Sequence, residues 1–319
     1  MIITVTLNAA IDNTLAVPHF RLGKRHRVVD KHAAAGGKGI NVARALKCLG
    51  QPVIATGFAG GAAGTRIIEF LTGESVLNDF VRIGNESRTS SVVIDPTSGE
   101  QTEIHERGPM VTEAELEIFS EKLLYLARGA DVCVFSGSLP RGVPDDVYAN
   151  LVRELRKLGL TTVVDGYGEA MRLAVRAETN LISPNVMEAE ELVGREFAEG
   201  DDEDVAAAIA EMRNIGARDV VVTTADGCWA SFIEEPQTML RARIEQLDPV
   251  SSVGSGDAFL AGFVTAQYIG LDREASLRYG VACGAESTLH FGAGIVERAA
   301  ADQLVDRVAI ESTQLPVAG

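Results

Sequence analysis

Cysteine is scarce: Cys48, Cys133, Cys228 and Cys283 are spread over 319 positions with no CxxC pair. That usage argues against a disulfide framework and fits reduced thiols in the cytoplasm. The five histidines, His19, His26, His32, His105 and His290, show no metal-ligand spacing. No apolar run is long enough to span a membrane, and residues 1–12 read as a first strand without the charged start of a leader. Positive charge is the minority sign, 29 Lys and Arg against 45 Asp and Glu, a net charge of −16. General nucleic-acid binding needs a basic footprint and is disfavoured. Three catalytic signatures are missing too. Without G-x-x-x-x-G-K-[ST], GxSxG or HExxH, P-loop, serine-hydrolase and zincin readings lose their support.

What is present suffices for a sizeable core: 46% of residues are hydrophobic and 23% charged. Apolar, β-branched runs at Ile2–Leu7, Val53–Phe58, Asp131–Phe135, Thr161–Val164, Asn180–Ile182 and Asp219–Thr223 alternate with helix-period stretches. In 113–128, Leu116, Phe119, Leu123 and Leu126 share one face. Thr112 and Glu115 make a capping-box pattern, and Gly129 stands where a C-cap would. In 145–158 the pattern repeats and closes at Gly159. The alternation predicts a single α/β domain over 1–319, with a mostly parallel central sheet and helices on both faces. Two polar, extended segments break the rhythm, about 14–33 and 88–106, and are expected to form a small β-sheet lid. The acidic run from Glu196 to Asp204 reads as a solvated loop and a helix start.

In open α/β sheets ligands bind at the carboxyl ends of strands. Polar or glycine-rich turns follow the strands there: Ser136-Gly137-Ser138, Asp165-Gly166, Ser183-Pro184-Asn185 with Glu188, and Thr223-Thr224-Ala225-Asp226-Gly227. The strongest local signal is Gly254-Ser255-Gly256-Asp257 at the entry to an apolar helix. Amides there would face an anion, with a carboxylate beside it to take a hydroxyl proton. The plainer reading is an Asp that caps its own helix. A second glycine-rich entry, Gly36-Gly37-Lys38-Gly39-Ile40-Asn41, follows a basic stretch; it serves either tight helix packing or close approach to a polar substrate.

Together these segments resemble the PfkB carbohydrate kinases, which are ribokinase-like. They resemble most the branch of 1-phosphofructokinase and tagatose-6-phosphate kinase. TLNAAID at 6–12, GGKGINVARALKCLG at 36–50, SRTSSVVI at 87–94, SGSLPRGVP at 136–144 and PNVMEAEELVG at 184–194 carry the resemblance in family order. It implies ATP-dependent phosphorylation of a ketohexose phosphate, fructose 1-phosphate or tagatose 6-phosphate. Asp12, Gly37 and Asn41 would bind sugar hydroxyls. Lys24 or Arg27, with Arg88 and Ser138, would hold the existing phosphate. Asn185 and Glu188 would organise Mg²⁺, and Thr223, Ala225 and Gly227 would line the ATP site with Asn185. Gly254, Ser255 and Gly256 would form the anion hole beside the base, Asp257. The resemblance also implies a lid that closes over the sugar and can carry a homodimer contact. The chain departs from the branch at Ala9, at Gly166-Tyr167, at Ser183 where a lysine is usual, and at Thr223-Thr224-Ala225. A kinase for a neutral sugar or nucleoside, and a non-catalytic sugar- or nucleotide-sensing relative, are the competing readings.

Overall fold

The computed structural model describes residues 1–198 and 202–314. Its main sheet runs, strand beside strand, Ala309–Gln314, Thr238–Arg243, Gly227–Ser231, Asp219–Thr224, Leu181–Ile182, Thr161–Asp165, Val132–Ser136, Ile2–Thr6, Val53–Gly60 and Leu77–Asn78. Pairing is parallel from Asp219–Thr224 through Leu77–Asn78 and antiparallel over the other three strands.

Side chains on a strand alternate between the two faces of its sheet. Here both faces are apolar, because both are covered. Ile2, Val134, Val163 and Val221 pack into one core, with the helices Lys38–Cys48, Ser255–Tyr268 and Arg273–Ser287. Ile3, Cys133, Phe135, Val164, Val220 and Val222 pack into the other, with Glu113–Ala127, Val147–Lys157 and Asp202–Asn214. The expected capping box forms at Thr112 and Glu115. Gly159 takes the left-handed conformation expected of it, at φ 84°, whereas Gly129 does not. That helix instead ends on tighter bonds, Arg128 N–H to Tyr125 O and Gly129 N–H to Leu126 O. The helix Asp202–Asn214 opens inside the acidic run; residues 199–201 of that run lie outside the described ones.

The lid is a separate four-stranded sheet in the order Asp30–Gly36, Ala10–Ala16, Arg88–Ile94, Gln101–His105. Its middle pair is parallel, Ala10 opposite Arg88. Its first segment is longer than the extended stretch at 14–33 suggested: strands start at Ala10 and end at Gly36, with a connection over 17–29. The hairpin pairs Asp12 with Ala34 and Ala16 with Asp30, so the connection lies at its far end.

The chain leaves Ile2–Thr6 towards Val53–Gly60 on one side and later returns to pair Val132–Ser136 on the other. Such a reversal opens a crevice at the carboxyl ends of the central strands.

Candidate active site

A cavity of about 1100 Å³ occupies that crevice, roofed by the lid. Asp12, Gly37, Asn41, Arg88, Ser138, Asn185, Glu188, Thr223, Ala225, Gly227, Gly254, Ser255, Gly256 and Asp257 all line it. Lys24 and Arg27 do not. They stand exposed on the 17–29 connection, whose start is tied to Asp95 through the His19 and Phe20 N–H groups. At the usual strand rise that end of the hairpin is roughly 14 Å beyond Asp12. Arg107 and Arg141 line the cavity instead.

Asp257 lies in the first turn of Ser255–Tyr268 and is 6% exposed. Asn41 Nδ2 donates to its Oδ2 at 2.8 Å. Burial, then the nearby Asp165 charge, pushes its carboxyl up to about 8, against the pull of Lys38. No ion pair holds it among the described residues, so the capping reading has little to support it: the N-cap is Gly254, at φ 81°, with no side-chain cap. Ser255 N–H turns back to Ser252 O at 3.2 Å. The open amides of this turn are therefore those of Gly254, Gly256 and Asp257. Gly256 has nothing within 4 Å of where a Cβ would sit, so the turn faces open cavity there.

Lys38, at the start of Lys38–Cys48, reaches across the floor of the cavity. Its Nζ donates to Asp165 Oδ1 at 2.9 Å and to Glu188 Oε1 at 2.5 Å. Burial disfavours its charge, but Asp165, Glu188 and Asp257 outweigh burial and hold its ammonium well above the usual range. Ser136 Oγ fixes the other oxygen of Asp165. Burial and the Asp165 charge raise Glu188, with Lys38 opposing them. Asn185 and Glu188 close a capping box at the start of Val186–Val193, where Asn185 Oδ1 accepts the Glu188 N–H. The carboxylate oxygens of Asp165 and Glu188 are engaged too, by Lys38, Ser136 Oγ and the Asn185 N–H, so a divalent cation here would be held largely through its own waters.

On the sugar side, Asp12 accepts from the Gly37 amide and is raised above its ordinary value by burial, against the Arg88 charge. A Cβ on Gly36 would fall 2.0 Å from Asp12 Cγ, so only glycine admits this carboxyl. Thr6 Oγ1, Asn8 Oδ1 and Asn41 Oδ1 line the same half, buried and without partners. These oxygens have almost no exposed surface, so a sugar hydroxyl would reach them only as the cavity wall adjusts around it. On the opposite side the turn 223–227 and the apolar Ile244, Val253, Val281 and Ala285 make a wall suited to a nucleobase. Sequence reasoning overlooked Asn8 and Arg141, and it read Asp165 and Lys38 without their pairing.

The pfkB carbohydrate kinase family matches the chain over residues 5–299. The chain is similar to the tagatose-6-phosphate kinase of Staphylococcus epidermidis, 34% identical over 267 residues, 83% of this chain and 84% of that one. Among solved structures it is similar to phosphofructokinase-2 from Escherichia coli in complex with substrates and products. The TM-score is 0.87 at 30% identity, over 96% of this chain and 98% of that one. A possible 1-phosphofructokinase from Thermotoga maritima gives a TM-score of 0.87 at 27% identity, over 98% and 99%. The architecture is the ribokinase-like one shared by these structures.

Proposed function

From the premise that the chain belongs to the pfkB family of carbohydrate kinases, and so is a sugar-phosphate kinase, we propose that it moves the γ-phosphate of ATP onto a ketohexose phosphate. Fructose 1-phosphate and tagatose 6-phosphate are the acceptors we favour. The observation that carries this reading is Asp257: buried, held by Asn41 rather than by an ion pair, and set beside the open amides of Gly256 and its own backbone.

In this reading Asp257 accepts the proton of the acceptor hydroxyl. The oxygen so freed bonds to the γ-phosphorus as the bond from that phosphorus to ADP breaks. The open amides of Gly254, Gly256 and Asp257 bind the transferring phosphoryl oxygens, whose charge the helix dipole also favours. Asp12, Asn41 and the Gly37 backbone orient the sugar so that the attacking hydroxyl meets Asp257. Thr223, Ala225 and Gly227 hold the nucleotide. Asn185, Glu188 and Asp165 would organise Mg²⁺ through its waters, and the ion would neutralise phosphate charge when bound. Lys38 keeps those two carboxylates together while their own repulsion would separate them. The lid excludes water and so limits hydrolysis of ATP. Four free cysteines fit a cytoplasmic setting; among the described residues no helix is long and apolar enough to cross a membrane.

A coupled ADP-release assay over sugars and sugar phosphates tests the reading. Turnover with a ketohexose phosphate is expected, and Arg88→Ala should raise KM for that acceptor about tenfold or more, with much less effect on any neutral sugar. Activity on neutral sugars or nucleosides alone would overturn the acceptor class.

A further inference from the structure

Two arginines meet the sugar half of the cavity, and each is anchored through its Nε. Arg88 donates from Nε to Asn8 O at 3.1 Å and from Nη1 to Ser90 Oγ at 3.1 Å. Arg141 donates from Nε to Gly108 O at 2.9 Å. Both Nη groups of Arg141 are left without an acceptor, and it forms no ion pair among the described residues. An arginine held by Nε alone presents the two-pronged end of its fork, the end that binds phosphate oxygens in pairs.

Asn8 joins the two anchors. Its backbone carbonyl takes Arg88. Its side chain packs so tightly on Gly108 that a Cβ there would lie 2.2 Å from Oδ1. Asn8 is 7% exposed, and its Nδ2 donates to Ser138 Oγ at 2.9 Å. A hydroxyl that accepts from an amide keeps its own hydrogen to give. Ser138 therefore needs an acceptor, and it lines the cavity with both arginines.

We propose that Arg141 is the second arm of an anion clamp for the phosphate the acceptor already carries, with Arg88 as the first arm and Asn8 as the residue that positions the clamp and turns the Ser138 hydrogen outward. The clamp rests on the sugar-phosphate reading above and adds Arg141 and Asn8 to the Arg88 and Ser138 that the resemblance already implied. A plainer role for Arg141 is to staple the turn at Gly108 to the turn at 139–142.

Steady-state kinetics of the full-length chain separate these. Arg141→Gln should raise KM for the sugar phosphate about 10- to 100-fold, the size expected when hydrogen bonds to a charged group are lost. KM for ATP and kcat should stay within about threefold. Arg141→Lys, which keeps the charge without the fork, should recover part of the loss. Asn8→Asp should raise the same KM further, since a carboxylate there draws the Ser138 hydrogen back and repels the phosphate. In a Ser138→Ala background the Asn8 change should lose part of its effect. An unchanged KM in Arg141→Gln, or a fall in melting temperature and kcat with KM unmoved, overturns the clamp and leaves the staple. If wild type turns over a sugar phosphate while Arg141→Gln binds it normally, only the clamp falls. If wild type uses no sugar phosphate, the parent reading falls first.

Discussion

Asp257 must hold a proton at one moment and release it at another, and its surroundings set the pH at which it does so. Its carboxyl ordinarily titrates near 3.8 and is pushed up to about 8 here, chiefly by burial. A base works best when its affinity for protons lies near the operating pH. In the substrate-free enzyme kcat/KM should therefore rise with pH and level off above about 8. Asp257→Asn should lower kcat by about 10²-fold or more and abolish that rise. The same group bears on stability with a defined sign. Between about 3.8 and about 8 the folded chain keeps a proton that the unfolded chain releases. Stability from this group is complete below 3.8 and is lost as pH climbs through the folded value of about 8. Asp257→Asn escapes that loss. Scanning calorimetry should find the variant melting about 2 °C or more above wild type at slightly alkaline pH, with the gap closing near pH 4. A pH-independent gap, or none, would refute the assignment. This residue could be picked out in the sequence only because the other family segments run in order around it; a Gly-x-Gly-Asp at a helix entry taken alone reads more simply as a cap. Arg141 could not, since an arginine between Pro140 and Gly142 looks like any solvated turn charge. Lys24 and Arg27 stand away from the cavity of their own chain, because nearness to Asp12 in sequence says nothing of which way a hairpin points.

At the level of elements, the entry of the helix Ser255–Tyr268 carries two glycines with opposite demands. Gly254 has φ 81°, and a Cβ on it would lie 2.5 Å from Ala293 Cβ. Gly256 lies inside the helix with open space before it. Gly254→Ala should cost about 1–3 kcal/mol of stability through strained backbone. Gly256→Ala should leave stability unchanged or improve it by about 0.5–1 kcal/mol, since alanine is the better helix former. Its methyl group would project into the cavity beside the open amides and lower kcat about tenfold or more. Denaturant melts beside kinetics check both: loss of stability in one variant, loss of turnover in the other. The loop that bears Ala293 is itself held by Arg44, which donates to Ala293 O and grips Glu74 with its remaining nitrogens. Most of these elements could be read from apolar periodicity and capping residues. Their long-range ties could not: Lys38 meets Asp165 and Glu188 across 127 and 150 residues, distances over which a sequence pattern carries no pairing information.

For the whole molecule, the parallel strands and the two-faced core follow from alternating β-branched runs and helix-period stretches, whereas the strand order and the antiparallel strands Gly227–Ser231, Thr238–Arg243 and Ala309–Gln314 were not readable there. The alternation does not specify assembly either. We propose a homodimer through the lid, whose outer strand Gln101–His105 is largely exposed and which carries exposed Leu22, Val28, Val29 and Ile104. Unpaired edges and exposed apolar side chains of this kind invite a partner. Sedimentation velocity should find a dimer in wild type and a shift towards monomer in Ile104→Lys, with a sharp cost in sugar turnover if closure needs the partner. A monomeric wild type would sink the proposal. The lid's parallel seam between Ala10–Ala16 and Arg88–Ile94 has another effect. It stitches together stretches with two helices and the strands Asp30–Gly36, Val53–Gly60, Leu77–Asn78 and Val81–Ile83 between them. During synthesis the first hairpin must leave the ribosome with one flank bare and wait for its neighbour, so the roof of the cavity can be completed only after part of the floor has folded.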